Sequence, residues 1–232
     1  MLSFRRHLGA LLGLIVSALC FTAAAQTPPL PPRYPPLPVV STVRLYVLDC
    51  GTIISNRPEN FGLTRDEVFN PNFSDTCFLV MHPKGILLFD TGLSDRNVGR
   101  PIYETMIGYE AQVKFKSLRG ELADIGVTPD KITYLALSHS HWDHVGNAND
   151  YADSIWLARR KEYDFMFGPN ANPGILKNYA ALQHAPHIQF IDGDYDVFGD
   201  GSVVLLSTPG HTPGHQSLYV KLAKTGGVVV SG

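Results

Sequence analysis

The chain has 232 residues, 44% of them hydrophobic, with 19 Lys and Arg against 21 Asp and Glu and a formal net charge of −2. That length supports one substantial core, and one domain is the default. The near-neutral balance and the lack of any basic run exclude a nucleic-acid or anionic-membrane surface as the organising feature.

Residues 1–25 read as a secretory signal, with Arg5 and Arg6 as the basic start, an apolar run over 8–21, and Ala23, Ala24 and Ala25 before Gln26. The run is shorter than the roughly 20 residues a spanning helix needs. Leu19 before Cys20 is too large for a lipoprotein cleavage site. The expected location is therefore secreted or periplasmic, with no membrane contact once the signal is removed. Without Arg5 and Arg6 the balance is 17 bases against 21 acids, a net charge near −4. Residues 26–40, with Pro28, Pro29, Pro31, Pro32, Pro35, Pro36 and Pro38, read as an extended linker. The folded domain is expected over 41–232.

A strand is predicted over 43–50, ended by Gly51, then a long loop over 52–75 that includes Asn56 and Pro58. Strands over 76–81 and 86–89 form a hairpin about the turn His82 to Gly85. Cys50 and Cys77 flank the long loop. An oxidising compartment allows a disulfide, and two buried thiols satisfy the pattern equally well.

Ile107, Ala111, Phe115, Leu118, Leu122 and Ile125 recur at steps of three and four, which predicts a helix over 106–125. A turn at Thr128, Pro129 and Asp130 precedes a buried strand over 132–137. A strand over 154–158, a helix over 159–167 and a helical stretch over 172–182 follow. From His187 the pattern becomes a β meander, with strands over 187–191, 195–198, 203–207, 216–222 and 228–230. The expected class is α/β, two sheets with helices packed outside.

The strand over 132–137 delivers Ser138-His139-Ser140-His141-Trp142-Asp143-His144. On an extended backbone His139, His141 and Asp143 point one way and Ser140 and Trp142 the other. A turn after Asp143 swings His144 into the same space. Neutral imidazoles with a carboxylate suit Zn²⁺ first. Further on, Pro209-Gly210-His211-Thr212-Pro213-Gly214-His215 ends a strand in two Pro-Gly turns of type II form, each presenting a histidine. His211 is the expected further metal ligand, and His215 a residue that supports the ligands.

His139-Ser140-His141-Trp142-Asp143-His144, Thr208-Pro209-Gly210-His211 and the strand end Asp90-Thr91-Gly92 together resemble the metallo-β-lactamase superfamily. The resemblance runs in order from about Val43 to Gly232. It implies an αβ/βα sandwich with two Zn²⁺ ions at one rim. His139, His141 and His211 would hold the first ion, Asp143 and His144 the second, and Asp90 would support them from beneath. It also implies a bridging Asp after the strand over 227–231 and a later His, so a chain truncated at its C-terminus, with the last part of the second half missing and low activity of its own, is expected.

The implied chemistry is hydrolysis by a metal-activated hydroxide, with Asp143 orienting the nucleophile and carrying its proton to the leaving group. No Gly-x-Ser-x-Gly is present to suggest a serine nucleophile. The run from Gly210 to Leu218 is similar to the branch that opens N-acyl homoserine lactones, so the expected partner is a small ester, lactone or lactam. Trp142, Phe61 and Phe69 either contact an acyl chain or pack in the core, and packing is the commoner role. The alternatives are a β-lactamase of the same ligand pattern, an iron-containing oxygenase, and a non-catalytic metal-binding member.

Overall fold

The computed structural model describes residues 40–55, 57–101, 111–169 and 171–232. The signal over 1–25, residues 26–39 of the linker expected over 26–40, Asn56, and residues 106–110 of the expected helix lie outside them.

The first sheet has seven strands in the order β4-β1-β2-β3-β5-β6-β7. These are β1 (Arg44–Ile54), β2 (Phe73–His82), β3 (Gly85–Phe89), β4 (Ala111–Val113), β5 (Tyr134–Ala136), β6 (Ile155–Arg159) and β7 (Ile188–Ile191). The hairpin β2–β3 forms as its turn chemistry predicts, and β3, β5, β6 and β7 run parallel. The second sheet is antiparallel, in the order β11-β10-β9-β8, from β8 (Tyr195–Asp196), β9 (Val203–Ser207), β10 (Gln216–Leu222) and β11 (Gly226–Val230). Among the described residues three α-helices complete the frame: α1 (Leu118–Asp124), α2 (Arg160–Phe167) and α3 (Pro173–Leu176).

Alternation along β3 explains the layers. Leu87 and Phe89 face the second sheet, in a core with Tyr134, Leu157, Val203, Leu205, Leu218 and Val220. Ile86 and Leu88 face the other way, into a core with Leu118, Leu122, Trp156, Met166 and Leu182. A strand buried on both faces therefore reads as one continuous apolar run. Each such side chain contributes roughly 1.5–3 kcal/mol by leaving water. Near the rim the buried Arg159 joins the sheets, donating to Gln216 Oε1 at 3.0 Å and to the Leu205 carbonyl at 3.1 Å.

Several expectations are corrected. Gly51 does not end β1, which runs on to Ile54 through a bulge between Asp49 and Gly51. The bulge leaves Cys50 as the extra residue. It is bonded to Cys77, with Cα atoms 5.8 Å apart, so these are not free thiols. Within the described part of the expected helix, residues 111–125, only α1 is α-helical. Ala111 lies in β4, paired with Ile54, and Phe115 is 80% exposed. The apolar stripe there mixes an edge strand with a helix, and a three-to-four spacing cannot distinguish that from one helix. The strand over 187–191 leaves the expected meander to become β7, parallel to β6. Among the described residues, α1 to α3 all pack on the seven-stranded sheet, and the four-stranded sheet carries no helix on its outer face. No helix among the described residues is long and apolar enough to cross a membrane.

Candidate metal centre

The parallel strands β3, β5 and β6 end at the same rim, where loops free of the ladder carry polar side chains. β3 delivers Asp90, β5 delivers the segment from Ser138 to His144, and β6 runs into α2. The end of β9 brings His211 to the same place.

His139 Nε2 lies 2.9 Å from His141 Nδ1, and His211 Nε2 lies 3.0 Å from that same nitrogen. All three ligand atoms fall within 4.8 Å of one another. A tetrahedral Zn²⁺ about 2.0 Å from each nitrogen needs them about 3.3 Å apart, so slight ring rotation admits the ion. Burial first, and then His144 and the other imidazoles, holds His139 far below the usual histidine range. Burial, followed by His211, lowers His141 as well. Both rings are thus neutral and keep lone pairs for a cation, and the donor set fits zinc. Burial grades from His139 inside to His211 at the surface, so the cluster opens to solvent.

The extended alternation expected for His139, His141 and Asp143 holds only for the two histidines. β5 stops at Ala136, and the chain turns so that the His144 amide donates to the His141 carbonyl at 3.0 Å. Asp143 joins His144, Asp75, Asp90 and Gly232 around a neighbouring cavity of about 400 Å³. Neither Asp143 nor His144 belongs to the three-histidine cluster. Nδ1 of His144 sits 2.9 Å from Asp90 Oδ2, while its Nε2 faces Asp143 Oδ2 at 3.6 Å. Burial works against a charge on His144, but Asp90, Asp143 and Asp75 outweigh it and raise its pKa to about 9.

Asp90 reaches both the Ser138 amide and the His144 ring. Its Oδ1 accepts from the Ser138 amide at 2.6 Å, and it alone among described non-glycine residues has positive φ, at 63°. His215 lies outside the cluster, with Nδ1 2.9 Å from Thr208 Oγ1 and its ring centroid 5.3 Å from that of His139. The Pro-Gly turns are not of type II, which needs φ near +80° at the glycine. Gly210 has φ 157°, and Gly214 is not among the positive-φ glycines.

Core packing is corrected for the three aromatics. Phe69 is fully exposed and Phe61 is 46% exposed, its ring tilted against Phe73 with centroids 4.9 Å apart. Trp142 is half-buried and lines a cavity of about 460 Å³ with Arg96, Gln112, Ile175 and Asn178.

Three further residues take part in the site in roles that no sequence motif assigned. Asp75 is buried beneath the second cavity, its Oδ2 accepting from the Leu93 amide at 2.6 Å. Burial, reinforced by Asp143, raises its pKa to about 8 against the pull of His144 and Lys114. Ser138 Oγ bridges His139 Nδ1 at 3.0 Å and His144 Nδ1 at 3.3 Å. Glu162, on α2, touches both histidine loops. Only its place one turn into a helix that follows an apolar strand was visible beforehand.

The family model described as the metallo-beta-lactamase superfamily matches residues 71–232. The chain is 29% identical to the N-acyl homoserine lactonase AttM of Azorhizobium caulinodans, over 83% of this chain and 76% of that protein. A crystal structure of a quorum-quenching N-acyl homoserine lactone hydrolase superposes with TM-score 0.64 at 26% identity, covering 82% of this chain and 74% of that one. A 1.4 Å structure of an N-acyl homoserine lactone hydrolase, with the product N-hexanoyl-L-homoserine at its catalytic metal center, gives TM-score 0.64 at 25% identity. It covers 82% of this chain and 75% of that one.

Proposed function

Because the chain belongs to the metallo-β-lactamase superfamily, we propose that it is a zinc-dependent hydrolase opening the ring of N-acyl homoserine lactone-like substrates. The observation that carries this reading is the convergence of the ligand atoms of His139, His141 and His211 within 4.8 Å of one another, in a chain similar to a hydrolase whose product is bound at its catalytic metal center. His139, His141 and His211 would hold one Zn²⁺, and Asp143 and His144 a second.

Zinc bound there supplies Lewis-acid polarisation of a carbonyl and a water acidified to a pKa of about 7. The protein's own groups do the rest. Asp90 fixes the His144 ring through Nδ1, which leaves Nε2 for a cation. The proton His144 carries without metal is the one a cation displaces. Asp143, at the cavity edge beside His144, can hold a proton on its carboxylate and release it to a leaving alkoxide. Trp142 and the exposed Phe61 and Phe69 offer apolar surface for an acyl chain.

We propose further that the protein is exported, secreted or periplasmic. The support is the basic and apolar pattern of residues 1–25 and the Cys50–Cys77 bond, which suits an oxidising compartment.

The test is to measure bound metal in the purified protein and its turnover of an N-acyl homoserine lactone and of nitrocefin. Zinc, with lactone opening faster than nitrocefin turnover, is expected. Nitrocefin as the better substrate, or iron with oxygen uptake, would overturn the reading.

A further inference from the structure

We infer that the buried carboxylate of Glu162 is a positioning residue that sets the spacing between the His139–His141 arm and the His211 arm of the metal centre. The inference rests on the zinc reading above.

Glu162 is 4% exposed, yet neither of its oxygens is spent on its own helix. Oε1 accepts from the Ser140 amide at 2.9 Å, and Oε2 accepts from the Gly214 amide at 3.0 Å. Ser140 stands between His139 and His141, and Gly214 between His211 and His215. One rigid carboxylate therefore holds the backbone of both ligand-bearing loops. Their amides lie 22 and 52 positions from it in sequence.

The position in the helix strengthens the case. Glu162 is the third residue of α2, whose N-cap Arg159 makes no side-chain cap bond. A glutamate at that position ordinarily turns back to the N-cap amide. Here it points across to the two loops instead. The close approach also needs a glycine, because a Cβ on residue 214 would lie 2.4 Å from the Glu162 amide nitrogen. Hydrogen bonds donated to a carboxylate are short and geometrically specific, so they fix the positions of the two loops. The consequence is a pre-set distance between His141 Nδ1 and His211 Nε2, now 3.0 Å.

The test compares the parent with Glu162→Gln and Glu162→Ala. Zinc affinity is read by competition with a chromophoric chelator, and ligand geometry by the visible bands of the Co²⁺ form. Glu162→Gln keeps the shape but turns an amide N–H₂ toward one backbone N–H, and about tenfold weaker zinc binding is expected. Glu162→Ala should weaken it by about a hundredfold, with altered Co²⁺ bands. Leu122→Ala, in the core under α1, serves as the control that lowers thermal stability without changing zinc affinity.

If both Glu162 variants bind zinc within about twofold of the parent with unchanged Co²⁺ bands, the inference falls even where their melting temperatures drop. Should Glu162→Ala not fold, Glu162→Gln decides by the same criterion. A parent that takes up no zinc would overturn the metal reading itself and this inference with it. A zinc-binding parent with unaffected variants would overturn only the role of Glu162.

Discussion

Asp90 Oδ2 sits 2.9 Å from His144 Nδ1, though 54 positions separate the two residues in the chain. The pairing joins the end of β3 to the loop after β5. Positive φ at a non-glycine residue such as Asp90 costs on the order of 1–3 kcal/mol. A charged hydrogen bond contributes about 1.5–3 kcal/mol, and the Asp90 carboxylate makes two such contacts, to Ser138 and His144. The strained backbone is therefore held by the site it supports.

Asp90→Asn should separate charge from shape, because asparagine also tolerates positive φ. The Ser138 amide keeps an acceptor, while His144 loses its nearest negative charge. The His144 titration midpoint, followed by NMR in the metal-free protein, should fall from about 9 toward the ordinary histidine value. An unchanged midpoint would show that Asp90 does not set the charge on His144.

The stability of the metal-free protein should peak near pH 6.5 and decline toward pH 9. His144 titrates near 9 when folded and about 6.5 when unfolded, so its contribution is full below 6.5 and lost as pH rises through 9. Asp75 is raised to about 8 from about 3.8, so its neutral burial becomes costlier as pH rises between those values. His139 and His141 are depressed, so below pH 6.5 the unfolded chain gains protons that the fold refuses. Melting curves in chelator from pH 5 to 10 check this, and a plateau from 6.5 to 9 would contradict it.

Reducing the Cys50–Cys77 bond should cost about 3 kcal/mol, from the loop entropy it removes from the unfolded chain. Cys50 also packs on the turn after Asp90, where a Cβ on Gly92 would lie 2.2 Å from the Cys50 Cβ. Melting with and without reductant measures the loss. A Cys50→Ser/Cys77→Ser double variant should melt low and ignore reductant, and a double variant as stable as the oxidised parent would refute the assignment.

Gly214→Ala should destabilise by about 1–3 kcal/mol, because the new methyl collides with α2 backbone rather than with a flexible side chain. Denaturant unfolding gives the magnitude. A neutral result would mean that the loop and α2 can separate without cost, against the close approach seen between them.

The sequence by itself determined which side chains can offer nitrogen to a cation and their local spacing. His139 and His141 are two residues apart, His211 follows a Pro-Gly pair, and the hairpin β2–β3 is set by its turn; all of these are local, within a few bonds of backbone. The tertiary structure alone decided what holds the ligands in place. The bulge in β1 and the short strand β4 arise from pairing with distant neighbours, so a spacing of three and four over 107–125 misreads them. Asp75, Asp90 and Glu162 reach their partners across separations of 18 to 54 positions. No local period encodes such contacts, because burying a carboxylate requires amide donors or charges that only the assembled sheets bring to it.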